Sequence, residues 1–195
     1  EFAQAIGSMP KICPHFHLSL QSGCDETLKR MNRHYTAEEY LKGCELLRKY
    51  FDHPALTTDV IVGFPQESEE EFQQSREMIE QADFYETHIF KYSRRQGTRA
   101  DRMEGQIPEA VKTQRSHVLL ELGKAHKKRY MEQFIGEKVE ILFEERNQIQ
   151  DKIYWTGYTR EYLKVAVLSE ENLENQIKIG QIQGFLEDDT FICTI

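Results

Sequence analysis

The sequence predicts an α/β domain followed by a small all-β barrel. Two observations carry this. Up to about residue 130, a strand, a turn and a helix succeed one another three times, the order that builds parallel βα units. After Gly136 the pattern changes to five short β-branched or aromatic segments in about 60 residues, the spacing of a small barrel or OB-like fold.

The first strand is predicted at Pro14 to Leu20, where polar and apolar residues alternate, ended by the turn residues Gln21-Ser22-Gly23. Thr36 and Glu39 then form a capping box for a helix whose apolar positions Tyr40, Leu41, Leu46, Leu47 and Tyr50 recur at helical spacing. The second strand is Leu56 to Pro65. Its Val60-Ile61-Val62 centre is apolar without alternation, as in a parallel strand covered on both faces. Ser68 and Glu71 open a second capped helix through Phe72, Met78, Ile79 and Ala82. The third strand runs from Thr87 to Ser93. A loop with Gly97 follows, then a long helix that starts near Pro108 and ends about Phe134. Three such units make an open sheet or a portion of a β/α barrel, and the first strand lacks a local partner on one edge. The remaining strands are predicted in KVEILFE, KIYWTGYT, YLKVAVL, QIKIG and FICTI, with the domain boundary near 134–137.

No apolar run approaches the roughly 20 residues that a membrane span needs, so no membrane partner is expected. The four cysteines, Cys13, Cys24, Cys44 and Cys193, stand 11, 20 and 149 residues apart. That spacing excludes a zinc ribbon, a thioredoxin motif and a local iron–sulfur ligand set, and no metal site is read from the sequence. Few cysteines and no export signal point to the cytoplasm. The net charge of −8 hides an asymmetry: residues 91–130 carry +7 and the rest −15. An anionic partner at the middle of the chain is one reading; a solvated helix face is the other.

Polar residues at the C-terminal end of a parallel strand stand where β/α barrels build their sites. His17 and Ser19 share a face there, while Gln21, Ser22 and Gly23 equally suit a plain βα turn. In the second strand, Gly63 would admit a ligand to the backbone. Asp59 is costly to bury unless paired or used. Arg94 and Arg95 beside Gly97 suit a carboxylate or phosphate, or a solvated loop. Lys124, Lys127, Lys128 and Arg129 make a phosphate-contact surface or a solvated face. Tyr158, Arg160, Tyr162 and Lys164 interleave rings on which bases stack with cations, although residues 136–195 carry −6. Trp155 fits core packing.

Read in order, HFHLSLQSGCDETLKRMNRHYT, TTDVIVGFPQESEEEF and FKYSRRQGTRADRMEGQIP resemble the radical S-adenosylmethionine methylthiotransferases that modify tRNA. GYTREYLKVAV looks like the TRAM domain that ends those enzymes. Within the family, CPHFHLSLQSGC and YSRRQGTRA look most like the branch acting on N6-threonylcarbamoyladenosine beside the anticodon; other branches act on isopentenyladenosine or a ribosomal-protein aspartate.

The resemblance implies that residues 1–134 are the C-terminal part of a partial TIM-type β/α barrel and 135–195 a TRAM barrel. It implies S-adenosylmethionine and 4Fe-4S clusters as cofactors of the full-length enzyme, and tRNA as partner. It implies transfer of a methylthio group to C2 of the adenosine after hydrogen abstraction by a 5′-deoxyadenosyl radical. The family's CxxxCxxC triplet is absent from this sequence. The chain is therefore expected to be a C-terminal fragment, inactive alone, whose partner is the N-terminal half of the same enzyme. An autonomous RNA-binding module is the alternative. Carried over by position, Gln21, Ser22, Asp59, Ile61, Gly63, Tyr92, Ser93 and Arg95 would line the cofactor or substrate nucleotide. Finally, the open edge of the first strand is expected either to self-associate or to be covered by residues 1–13, whose apolar stripe is Phe2, Ala3, Ala5, Ile6, Met9 and Ile12.

Overall fold

The computed structural model describes residues 1–195, which divide into two compact units. The first comprises Glu1–Ser8 and Phe16–Lys128. Its elements in chain order are α1 (Phe2–Gly7), β1 (His15–His17), α2 (Asp25–Arg30), α3 (Ala37–Tyr50), β2 (Ala55–Val62), α4 (Glu69–Ala82), β3 (Glu86–Lys91) and α5 (Glu109–Glu132). The strands form one sheet in the order β1-β2-β3. β2 and β3 pair in parallel, and the chain after β1 joins β2 through a parallel bridge from Gln21 to Val60.

Local chemistry explains the helix starts. The Thr36 hydroxyl accepts the Glu39 N–H while the Glu39 carboxylate accepts the Thr36 N–H, and Ser68 and Glu71 repeat the arrangement. Glu71 also receives Arg30 through both of its carboxylate oxygens, which holds the carboxyl below its usual range. Ser68→Ala removes one acceptor from the first turn of α4. It is expected to lower stability by about 1 kcal/mol, read as a lower urea midpoint with unchanged denaturant slope.

One face of the sheet is covered. Leu20, Leu56, Val60 and Val62 meet Cys44 and Leu47 of α3, Phe72, Met78, Ile79 and Ala82 of α4, and Leu119 of α5. Ala3 and Ile6 join this core from α1, whereas Phe2 and Met9 stay exposed, so the expected N-terminal stripe splits. β1 is also shorter than the alternating pattern suggested. Beyond His17 the Leu18 carbonyl accepts the hydroxyls of Tyr40 and Thr58, and the Leu20 N–H donates to Thr58 Oγ1, replacing strand partners with side chains.

The second unit comprises Met9–His15 and Arg129–Ile195. Its strands are β4 (Lys138–Ile149), β5 (Lys152–Thr159), β6 (Lys164–Val167), β7 (Ile177–Glu187) and β8 (Thr190–Thr194). They close a barrel in the order β4-β5-β6-β8-β7, antiparallel except for the β6–β8 pair. β4 and β7 run to 12 and 11 residues rather than being short. Register shifts in both strands bend them, which lets so small a barrel close. Ile141, Phe143, Leu163, Val165, Ile182 and Phe191 are buried.

Candidate functional site

The second face of the sheet in the first unit carries polar side chains from all three strands. Strand alternation decides which residues reach it. Phe16 and Leu18 pack on the core, so His17 and Ser19 point the other way; Val60 and Val62 are core, so Asp59 and Ile61 face out. On β3, Ile89 packs on the core while His88 and Phe90 are exposed. The register sets Asp59 beside His88 and Ile61 beside Phe90.

His17 stands at the centre. Its Nδ1 lies 3.0 Å from Thr57 Oγ1, and its Nε2 lies 3.2 Å from Ser19 Oγ and 3.3 Å from Asp59 Oδ2. The Ser19 hydroxyl donates to the same Asp59 oxygen at 3.4 Å. The His17 and His88 rings are 6.0 Å apart, tilted by 31°. Asp59 is thus partly exposed and paired, which resolves the cost of placing a carboxylate in an apolar strand. His88 had no signal in the sequence as a site residue, because only the register of β2 on β3 brings it to Asp59.

The predicted cofactor residues divide. Asp59 and Ile61 share this face, whereas Gln21 is buried and is tied to β2 through its backbone. Gln21 has φ of 69°; its N–H donates to Asp59 O and its carbonyl accepts the Ile61 N–H. Ser22 turns away into the protein: its hydroxyl contacts Ser75 Oγ and accepts the Cys24 N–H, so it serves the βα turn. Gly63 adopts φ of 73° and sends its N–H to Glu67 Oε2 at 2.7 Å. The space a Cβ would take there holds the Lys112 stem, 2.1 Å from the ideal position. Lys112 in turn donates to the Tyr92 carbonyl, and the Tyr92 ring meets Phe64 edge-on at 5.2 Å. Ser93 and Arg95 lie in an exposed loop, where the Arg95 carbonyl accepts the Thr98 hydroxyl and Arg94 is tied to Asp101.

Beneath that end of the sheet, Arg115 and Glu67 form a buried ion pair at 2.7 Å, with side chains 6% and 2% exposed. Burial pushes the Glu67 carboxyl up, against the Gly63 N–H and Arg115 that pull it down. Arg115 belongs to the +7 segment, yet it is withdrawn from any external anion. Lys91 and Lys112 both pair with Glu109, pulling that carboxyl down to about 2.

Of the predicted RNA contacts on α5, Lys124 pairs with Glu121 and Lys127 with Glu86, while Lys128 and Arg129 are exposed. In the barrel unit, Tyr158 and Tyr162 stack at 4.5 Å with an 11° interplanar angle, and Lys164 pairs with Tyr158 across β5–β6. His15 lies 5.2 Å from the Tyr162 ring. Arg160 is spent elsewhere, donating to the carbonyls of Pro10 and Ile12. Trp155 is buried, with Arg146 4.8 Å over its ring.

Comparison with known proteins adds the following. The Radical SAM superfamily profile matches residues 1–79. Over 144 residues, 74% of this chain and 33% of the relative, the sequence is 42% identical to threonylcarbamoyladenosine tRNA methylthiotransferase MtaB of Thermotoga maritima. It is 39% identical over 178 residues to the MtaB of Bacillus subtilis, covering 91% of this chain and 40% of that one. It is 35% identical over 185 residues to tRNA-2-methylthio-N(6)-dimethylallyladenosine synthase of Protochlamydia amoebophila, covering 95% and 41%. The chain thus spans between 33% and 41% of the length of these relatives.

Proposed function

We propose that the chain, which is similar to tRNA methylthiotransferases over 74–95% of its length and to the Radical SAM superfamily over residues 1–79, supplies part of the barrel and the RNA-facing β domain of a radical S-adenosylmethionine enzyme that methylthiolates C2 of a hypermodified adenosine beside the anticodon, N6-threonylcarbamoyladenosine being the substrate. In this reading residues 1–134 are the barrel portion and 135–195 the TRAM-like barrel. The observation that carries it is the open sheet face, where Asp59 and Ile61 of β2 stand beside His88 and Phe90 of β3, bordered by the buried Gln21 turn.

The chain's cysteines do not suit an iron–sulfur cluster. Cys24, Cys44 and Cys193 are buried, and burial pushes the thiols of Cys44 and Cys193 up to about 11 and about 12, against the thiolate a cluster requires. No step is therefore routed through a cluster on these residues; its ligands belong to the further length of the family's proteins. The sheet face does suit S-adenosylmethionine. Bound there, that cofactor supplies the hydrogen-abstracting radical and the methyl group. Ile61 and Phe90 offer it an apolar and aromatic wall, and the Gln21 turn holds the strand ends that border it. The protein's share is orientation and exclusion of water.

For the substrate, the stacked Tyr158 and Tyr162 beside Lys164 offer bases a platform and phosphate a cation. That platform also favours a second reading, an RNA-binding module that acts without the rest of the site. No helix is long and apolar enough to cross a membrane, and tRNA places the proposed work in the cytoplasm.

The test is mass spectrometry of tRNA nucleosides from source cells with and without the gene region encoding these residues. The expected result is loss of the 2-methylthio form of N6-threonylcarbamoyladenosine and accumulation of its parent. Loss of the isopentenyladenosine derivative instead would move the protein to the other branch. An unchanged nucleoside profile, with tRNA still bound by the chain in a salt-dependent manner, would leave the binding module.

A further inference from the structure

His17, Asp59 and His88 come from three neighbouring strands at one level of the sheet. One donor atom from each lies within 4.8 Å of the other two. We infer that these three side chains bind a divalent transition-metal ion that favours nitrogen and oxygen ligands, Zn²⁺ being the reference case.

Three features support this. First, two imidazoles and one carboxylate are a donor set that protein-bound Zn²⁺ and Fe²⁺ use, and three protein ligands leave a position open for water or a substrate oxygen. Second, the spacing fits an ion better than a direct contact. The His17 Nε2 to Asp59 Oδ2 distance of 3.3 Å is long for a charge-assisted hydrogen bond, which runs about 2.7–2.9 Å. Two ligands each about 2.0–2.1 Å from a tetrahedral ion stand roughly 3.3 Å apart. Third, His17 is oriented for ligation. Its Nδ1 sits 3.0 Å from the hydroxyl of Thr57, itself buried, which can accept an Nδ1–H and so free the Nε2 lone pair, 3.3 Å from Asp59 Oδ2, for an ion. His88 is exposed, so its ring can turn to close the third side.

The site lies two residues along β2 from Ile61, at the level below the wall assigned to the cofactor. The inference stands whether or not the methylthio transfer does. Its sheet position has a further consequence: the open coordination position faces away from the core, toward whatever occupies this face.

The test uses the full 195-residue chain with Cys13→Ser, which removes the exposed thiol as a competing ligand. Zn²⁺ is titrated calorimetrically and Co²⁺ by its visible ligand-field absorption. One ion per chain is expected, with a tetrahedral or five-coordinate cobalt spectrum free of thiolate charge-transfer bands. His88→Gln and Asp59→Asn should each weaken binding at least tenfold, whereas His117→Gln, on the exposed face of α5, should not change it. His88 is exposed and makes no core contact, so its variant keeps the fold, checked by an unchanged circular dichroism spectrum. Absence of saturable binding overturns the inference, and so does binding that survives both His88→Gln and Asp59→Asn.

Discussion

Replacing Glu67 by Gln is expected to destabilise the first unit by about 3–5 kcal/mol, among the largest losses available from a near-isosteric change. The carboxylate lies where water cannot replace it, and Arg115 spends one nitrogen on it and on the Glu67 carbonyl. Without that charge the buried guanidinium keeps the Glu67 carbonyl but has as its remaining counter-charge only Glu69, which is largely exposed, at 3.1 Å. Urea unfolding followed by far-ultraviolet circular dichroism measures the loss. Pairing Glu67→Leu with Arg115→Met should recover part of it, because two apolar groups replace two desolvated charges. Recovery should stop short of wild type, since the Gly63 N–H then has no acceptor. A loss below about 1 kcal/mol for Glu67→Gln would mean that water reaches the pair and that the ion pair is not what ties α5 to the turn after β2.

Gly157→Ala is the second large effect, this time in the barrel. A Cβ at Gly157 would stand 2.1 Å from the Leu142 carbonyl oxygen and 2.8 Å from Phe143 Cα. Both are backbone atoms of β4, so no side chain can swing aside. Gly157 pairs with Phe143, where the register of β4 on β5 shifts, so relief would require the two strands to part. The cost should exceed the roughly 1–3 kcal/mol of ordinary core overpacking. Trp155, the chain's one tryptophan, sits two residues away on β5 and reports the change directly. A red-shifted emission and a lowered unfolding midpoint are expected. An unchanged midpoint would show that β4 and β5 tolerate a wider spacing than they adopt here.

What the sequence revealed about the fold follows from the range of each interaction. Thr36 with Glu39 and Ser68 with Glu71 are three residues apart, and both caps were legible. The unalternating Val60-Ile61-Val62 likewise announced a strand, but not a strand covered on both faces: Val60 and Val62 are core, while Ile61 faces out beside Phe90. The end of β1 was not legible, because Thr58 and Tyr40 replace its pairing from 40 and 22 residues away. The site divides on the same principle. Asp59 stood out because a carboxylate is odd within an apolar strand, and Ile61 was named only through the family resemblance, while His88 comes to Asp59 only through the pairing of β2 with β3. Ser22 and Arg160 were read as open to a ligand, yet partners distant in sequence claim them: Ser75 for the first, Pro10 and Ile12 for the second. Composition shows how many cations a segment holds, but Arg115 demonstrates that burial decides how many remain for a partner.

The parallel pairing of β6 with β8 has a consequence for the chain as it is made. In the first unit each strand is followed by the helix that covers it, so pieces of that unit can gather in the order in which they leave the ribosome. The barrel has no such liberty. Lys164, Val165 and Ala166 wait for Thr190, Phe191 and Ile192, and β7 also needs β8 along its second edge. Until residues 190–194 emerge, β4 to β7 form an open ribbon whose two unpaired edges and apolar interior face solvent together. Translation must therefore outrun aggregation over the last strand of the barrel, and a premature stop that removes only β8 would release a chain whose second unit is open and sticky.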